Sequence, residues 1–244
     1  MLLGNNTWAT IEALDRSLLQ GYIDAQRDLY PQAGGARVHR GGAYALMDGA
    51  GMESRVAGLG ADDEPGKTDI EWLFGWLRDR LRSQEDGHWD PQRSAEGIRF
   101  VLSPLAHPVH RARILAMGGQ DDGITHVLVY DLKNFNGSDN WDARVTATVG
   151  EAQYAAGEII ARGFLDGESP SERQMMVSNS YINVPGMTHF QLDIDRQPAA
   201  GAALGIRNEM ALLTGMSVLP DFRGRRLQGA LINHRLAFAQ SKGC

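Results

Sequence analysis

Three arginines crowd a short turn near the end of this chain. Arg223, Arg225 and Arg226 lie between an apolar run that ends at Pro220 and a run with helical periodicity that begins at Leu227. A helix N-terminus presents N–H groups without intrahelical acceptors, together with the positive end of the helix dipole. The guanidinium groups add charge there, although the chain as a whole has a net charge of −6. The pattern of strand, basic turn and helix therefore predicts a binding site for phosphate.

The same stretch resembles the acyl-CoA-binding motif of the GNAT acyltransferases. In that family a strand ends in Val-x-Pro, and a loop of pattern Arg/Gln-x-x-Gly-x-Gly/Ala leads into a long helix. Val218, Pro220, Arg223 and Gly224 stand in matching places. In the family the loop amides bind the pyrophosphate of acetyl-CoA, and the preceding strand pairs with the pantetheine arm. Glycine within that strand, here Gly215, is typical of a β-bulge, which the family uses to open a slot for pantetheine.

The resemblance implies that acetyl-CoA is a co-substrate held by the strand end and the basic turn. Two positions depart from the family pattern: Arg226 replaces the usual central glycine, and Gln228 replaces the last small residue. We expect helix-like backbone angles at Arg226, so that arginine is tolerated there and its guanidinium strengthens phosphate binding. The implied contact residues are Met216, Ser217, Val218, Arg223, Gly224, Arg225, Arg226, Leu227 and Gln228.

The sequence assigns no catalytic residue. Attack of an amine on a thioester needs a base, and the available carboxylates, Glu168, Glu172 and Glu209, are in positions typical of surface groups. The tyrosine that the family often uses as general acid has no counterpart, because no tyrosine follows Tyr181. A GNAT domain also continues beyond this helix with further strands. We therefore expect the domain to lack its last strands, which exposes a strand edge and favours a homodimer or poor solubility.

Apolar periodicity predicts the order of the elements. Residues 144–244 give a strand, two helices, three antiparallel strands, the basic turn and a helix, which matches the first part of the GNAT fold. Residues 43–132, including a strand at 124–132, resemble a degenerate copy of that domain. The predicted class is α+β, with mixed, mostly antiparallel GNAT-type sheets flanked by helices. A polar linker predicts two GNAT-like halves, residues 1–137 and 138–244.

Composition excludes several classes of protein. The pI of about 5.6 argues against non-specific nucleic-acid binding. The single cysteine, Cys244, excludes an internal disulfide framework, and no apolar run approaches the roughly 18 residues that span a membrane. We expect a cytoplasmic protein without a metal, because the pair His107 and His110 has no third ligand nearby. The segment Gly60–Thr68 is not a P-loop, since its spacing is wrong and its acidic residues repel phosphate.

Three functions remain open from the sequence. The leading one is an N-acyltransferase that moves an acetyl group from acetyl-CoA to an unidentified amine. The alternative is a non-catalytic acyl-CoA-binding or regulatory protein, favoured by Arg226 and by the missing strands. A third is an anion-binding domain whose basic turn holds a different phosphate ligand. Turnover with a panel of amines separates the first from the others.

Overall fold

A computed structural model of the protein describes residues 4–60, 64, 67–83, 97–136 and 142–244. The chain divides into two compact units, Met1–Thr125 and His126–Cys244, each with its own hydrophobic core. The boundary predicted at 137/138 lies outside the described residues. Among the helices in the described ranges, none is long and apolar enough to cross a membrane.

Within its described residues, the first unit combines three helices with a four-stranded sheet. The sheet has the order β1-β2-β3-β4, in which the first three strands are antiparallel and β4 runs parallel to β3. Helix α2 begins after Asp69, whose carboxylate accepts a hydrogen bond from the amide of Trp72 at 2.8 Å, as an N-cap does. The elements are α1 (Asn5–Leu29), β1 (Ala36–Arg40), β2 (Ala43–Met47), β3 (Ser54–Leu59), α2 (Ile70–Ser83), β4 (Arg99–Leu102) and α3 (Pro108–Ala116).

The second unit places helices on both faces of an antiparallel sheet of order β5-β6-β7-β8. Alternate residues of β7 lie on opposite faces of the sheet. Ala200, Ala202 and Leu204 join the core beneath α6, whereas Gly201 lies against Ile160 of α4. The elements are β5 (Val145–Thr148), α4 (Glu151–Phe164), α5 (Glu172–Ile182), β6 (Met187–Ile194), β7 (Gln197–Arg207), β8 (Met210–Val218) and α6 (Leu227–Ser241).

The predicted α+β class with mostly antiparallel sheets is confirmed. Between residues 144 and 244 every predicted helix and strand is present, with its ends displaced by a few residues at most. These elements were predictable because each has apolar residues at one clear period and turn residues at its ends.

The strand predicted at residues 124–132 is wrong. Residues 124–131 have no regular secondary structure and belong to neither sheet, and residues 132–134 form a short 3-10 helix. The side chains of Ile124 and Leu128 are 86% and 94% exposed. High β-propensity is satisfied only when a neighbouring strand supplies hydrogen bonds and an apolar face, and neither is present in the described part of the chain.

Candidate functional site

A β-bulge lies in the middle of β8, where Gly215 predicted it. Ala203 pairs with Thr214 and Gly201 pairs with Ser217, so Gly215 and Met216 together oppose Ala202. Gly215 has a φ of +49°, the left-handed conformation that glycine adopts most easily. The extra residue shifts the alternation of side chains along the strand by one position.

The bulge determines which way the predicted contact residues of β8 face. Met216 and Val218 pack into the core beneath α6. Ser217 is buried on the opposite face, where its hydroxyl donates to the carbonyl of Ile160 in α4 at 2.8 Å. Because these side chains pack against the helices on the two faces of the sheet, a ligand could contact this strand only through its outer backbone edge. Among the described strands β8 pairs only with β7, so the outer edge of β8 has no strand partner in the described part of the chain.

The basic turn leaves a row of backbone amides without acceptors. After a single 3-10 turn over Pro220–Phe222, Gly224 has a φ of +77° and Arg226 has a φ of +59°. The amides of residues 224–229 donate to no acceptor within the described ranges, and the first helical bond runs from Ala230 to Arg226. Successive amides freed by left-handed residues at a helix N-terminus form a concave anion site.

Arg223 is held by the protein rather than directed at the open side of the turn. Its guanidinium donates to the carbonyl of Val218 at 3.2 Å, to the carbonyl of Gly163 at 3.0 Å and to the carboxylate of Asp166 at 2.7 Å. The side chain thus joins the end of β8 to the end of α4. Its predicted role as a ligand contact stays a prediction, but this geometry gives it a role in shaping the turn.

The other two arginines are available to an anion. Arg225 donates to the carbonyl of Asp221 at 3.2 Å, and its guanidinium carbon lies 5.4 Å from the ring centroid of Phe222. The side chain of Arg226 is exposed and forms no hydrogen bond or ion pair with the residues that the structure describes. Two cations therefore lie beside the free amides of the turn.

The expectation of helix-like angles at Arg226 is wrong. The residue has φ +59° and ψ +20° and precedes α6 in the left-handed conformation. For a residue with a Cβ this conformation costs roughly 1–2 kcal/mol, because Cβ approaches the following carbonyl oxygen. The chain enters the helix through a backbone geometry that glycine would adopt without strain, and it holds arginine there instead.

We predict that Arg226→Gly raises the free energy of unfolding by about 0.5–1 kcal/mol, since the strain relieved exceeds the entropy that glycine adds to the unfolded chain. The same change should weaken CoA binding by removing a cation. Arg196→Gly is the matched control, because Arg196 has a φ of +65° in the β6–β7 turn. It should raise stability similarly and leave CoA affinity unchanged in denaturation and calorimetric measurements. Tighter CoA binding by Arg226→Gly would show that the side chain obstructs the site.

Sequence reasoning missed Arg235, which lies in the core beneath the bulge. Its side chain is 1% exposed and its hydrogen-bond acceptors are three backbone carbonyls and the sulfur of Met216. Burial lowers the pKa of Arg235 to about 10. The signal was present in the sequence, because Arg235 follows Leu227 and Leu231 at four-residue steps on the apolar face of α6.

The carboxylates considered as bases remain unassigned. Glu168, Glu172 and Glu209 are all exposed, as surface groups are. No group of three or more histidine, cysteine, aspartate or glutamate side chains that could hold a metal occurs in the described part of the chain.

Comparison with known proteins gives the fold. No protein-family model and no curated protein matches this sequence. A GCN5-related N-acetyltransferase from Kribbella flavida is similar in structure, with a TM-score of 0.52 and 19% identity over 95% of this chain and 79% of that chain. A protein from Novosphingobium aromaticivorans assigned to the GNAT family has a TM-score of 0.32 and 23% identity, over 42% of this chain and 41% of its own.

The assignment of the fold rests on the first of these similarities alone, since the second covers less than half of either chain. It extends over 95% of this chain and therefore over residues of both units. The resemblance inferred from the basic turn is confirmed at the level of the fold, and the chain has the fold of the GCN5-related N-acetyltransferases.

Proposed function

We propose that this chain binds acetyl-CoA and transfers its acetyl group to an amine. The observation that carries the proposal is the row of amides at residues 224–229 that have no acceptor among the described residues, flanked by the exposed guanidinium groups of Arg225 and Arg226. A pyrophosphate needs several donors and positive charge at one place, and this turn supplies both.

The open edge of β8 supports the same ligand. A pantetheine arm contains two amide groups and can pair with strand backbone as a further strand would. Beyond the bulge, residues 216–218 lead from the middle of β8 toward the basic turn. An extended ligand with an anionic end therefore matches the shape and charge of this region better than a compact phosphate does.

The proposed reaction forms a carbon–nitrogen bond, breaks a carbon–sulfur bond and moves one proton from nitrogen to sulfur. The amine nitrogen attacks the thioester carbonyl, the carbon–sulfur bond breaks, and the amine proton leaves so that CoA is released as the thiol. The residue that accepts this proton is unassigned, and the amine is unidentified. We also propose a cytoplasmic location, where acetyl-CoA is available.

We predict that the double variant Arg225→Glu/Arg226→Glu binds CoA at least about tenfold more weakly than the wild type, because each charge-assisted hydrogen bond contributes roughly 1.5–3 kcal/mol. Its melting temperature should be nearly unchanged, since both side chains are exposed. Calorimetry with CoA measures the affinity. The control Arg99→Glu/Arg196→Glu has the same change in net charge at exposed sites elsewhere. Equal CoA affinity in the two double variants would contradict the proposed site.

Non-catalytic acyl-CoA binding is the second candidate. The strained arginine at position 226 favours it, because a Cβ where the family pattern has glycine restricts how closely the pyrophosphate approaches the loop backbone. Acetyl transfer to a panel of amines by the wild type supports the enzyme, whereas CoA binding without transfer supports the binding protein. A third candidate, a site for another phosphate ligand, requires that ATP bind as tightly as CoA when both are measured by calorimetry.

Homodimerisation through the outer edge of β8 stays a prediction that sedimentation analysis can check.

A further inference from the structure

Arg235 places a guanidinium group at the β8 bulge. One terminal nitrogen donates to the carbonyl of Ala203 at 2.8 Å and to the carbonyl of Thr214 at 3.1 Å. These two residues are the last directly opposed pair before the bulge. The other terminal nitrogen lies 3.0 Å from the sulfur of Met216, which is one of the two bulged residues.

The contacts tie both sides of the bulge to one helix. The Nε of Arg235 donates to the carbonyl of Leu231, one turn earlier in α6, at 3.1 Å. That bond fixes the plane of the guanidinium, and the planar fork then sets the positions of a β7 carbonyl, a β8 carbonyl and a β8 side chain. A bulge interrupts the regular ladder, so carbonyls near it need donors from elsewhere, and Arg235 supplies them.

None of these acceptors is a carboxylate. A buried cation without a counter-ion is costly, and an apolar side chain of similar size would avoid that cost. Stability alone therefore does not account for arginine at this position. The hydrogen bonds of Arg235 instead fix the backbone conformation at the bulge, which apolar packing cannot do.

We infer that Arg235 is a positioning residue that fixes the bulge and thereby orients the outer backbone edge of residues 216–218 for the pantetheine arm. This inference rests on the proposed binding of acyl-CoA. Arg235 itself lies eight residues beyond Leu227, and a rise of 1.5 Å per residue places it about 12 Å along the helix axis from the basic turn. Substitution of Arg235 should therefore weaken the binding of the pantetheine arm and not the binding of the phosphates.

Two ligands separate these effects: CoA, and adenosine 3′-phosphate 5′-diphosphate, which has the same phosphates but lacks pantetheine. For Arg235→Met we expect CoA affinity to fall by roughly tenfold or more, as for the loss of one or two hydrogen bonds. Affinity for the nucleotide should change by less than about twofold, a small fraction of one hydrogen bond. Arg235→Lys retains a donor for the two carbonyls but not the planar fork, so its CoA affinity should lie between those of the wild type and Arg235→Met.

Phe238→Leu is the control for a general loosening of α6. The ring of Phe238 packs edge-on against Phe190 of β6, with ring centroids 5.2 Å apart, so this variant weakens the same helix away from the bulge. It should change the affinities for the two ligands equally. The ratio of the two affinities is thus the readout that a purely structural role would leave unchanged.

Each outcome is decisive. Wild-type protein that binds neither ligand contradicts the proposed function. Wild-type protein that binds CoA, with an unchanged affinity ratio in both Arg235→Met and Arg235→Lys, overturns the positioning role and leaves the proposed function standing. If Arg235→Met does not fold, the test rests on Arg235→Lys. A folded Arg235→Lys protein with a lower ratio of CoA affinity to nucleotide affinity than the wild type supports positioning by the planar fork, and an unchanged ratio contradicts it.

Discussion

Replacing Gly163 with valine is expected to lower the free energy of unfolding by about 3 kcal/mol and to weaken CoA binding. Gly163 lies in the last turn of α4, where an added Cβ would meet Ser217, with the Cβ of that residue only 2.6 Å away. Overfilling a packed interface commonly costs 1–3 kcal/mol, and valine adds two methyl groups beyond the first carbon. Relief of this overlap requires a shift between α4 and β8, which is expected to displace the backbone edge of the candidate site.

Gly229 provides the matched control for Gly163, because it is also a helical glycine. An added Cβ at Gly229 would meet nothing within 4 Å, so Gly229→Ala should raise stability by about 0.5–1 kcal/mol through helix propensity. Denaturant titration followed by circular dichroism gives both values. Similar stability of Gly163→Val and the wild type would mean that α4 and β8 are packed less closely than the structure shows.

Lowering the pH from 7 to 4 is expected to destabilise the second unit by about 3 kcal/mol through one histidine. His189 in β6 is 2% exposed, and burial lowers its pKa to about 4. Between the unfolded value of 6.5 and about 4, the unfolded chain binds a proton that the folded chain does not, so stability falls as the pH falls. One pKa unit corresponds to about 1.4 kcal/mol, and the difference here is about 2.5 units.

The test compares the loss of stability on acidification in three proteins. His189→Gln removes the titrating group and should lose about 3 kcal/mol less than the wild type between pH 7 and pH 4, each protein being referred to its own stability at pH 7. His126→Gln, at an exposed position of the same unit, should lose as much as the wild type. An equal loss in all three would show that other groups control acid unfolding.

The second unit was largely predictable because its determinants are local. Alternating apolar residues give β6, helical periodicity gives α4 and α6, and Gly215 gives the bulge. Each of these patterns lies within about ten residues, so no knowledge of distant contacts is needed. The class of the fold and the place of the candidate site follow from such patterns.

The features that were missed depend on contacts between distant residues. Arg223 meets Asp166 across 57 residues of sequence, and no local pattern predicts that pair. The place of Arg235 on the apolar face of α6 is visible in the sequence, but its acceptors in β7 and β8, 32 and 21 residues earlier, are not. The predicted strand at residues 124–132 failed for the converse reason, because strand formation needs a partner that local propensity cannot guarantee.

The bonds of Arg223 have a thermodynamic consequence for the far end of α4. Helix ends fray, and the last carbonyls of a helix lack intrahelical donors. Arg223 supplies a donor to the carbonyl of Gly163 and an ion pair to Asp166 just beyond the helix. A ligand that binds the basic turn would therefore stabilise the closed state of this helix end. The free energy of local opening at the end of α4 would rise, although the ligand does not contact the helix.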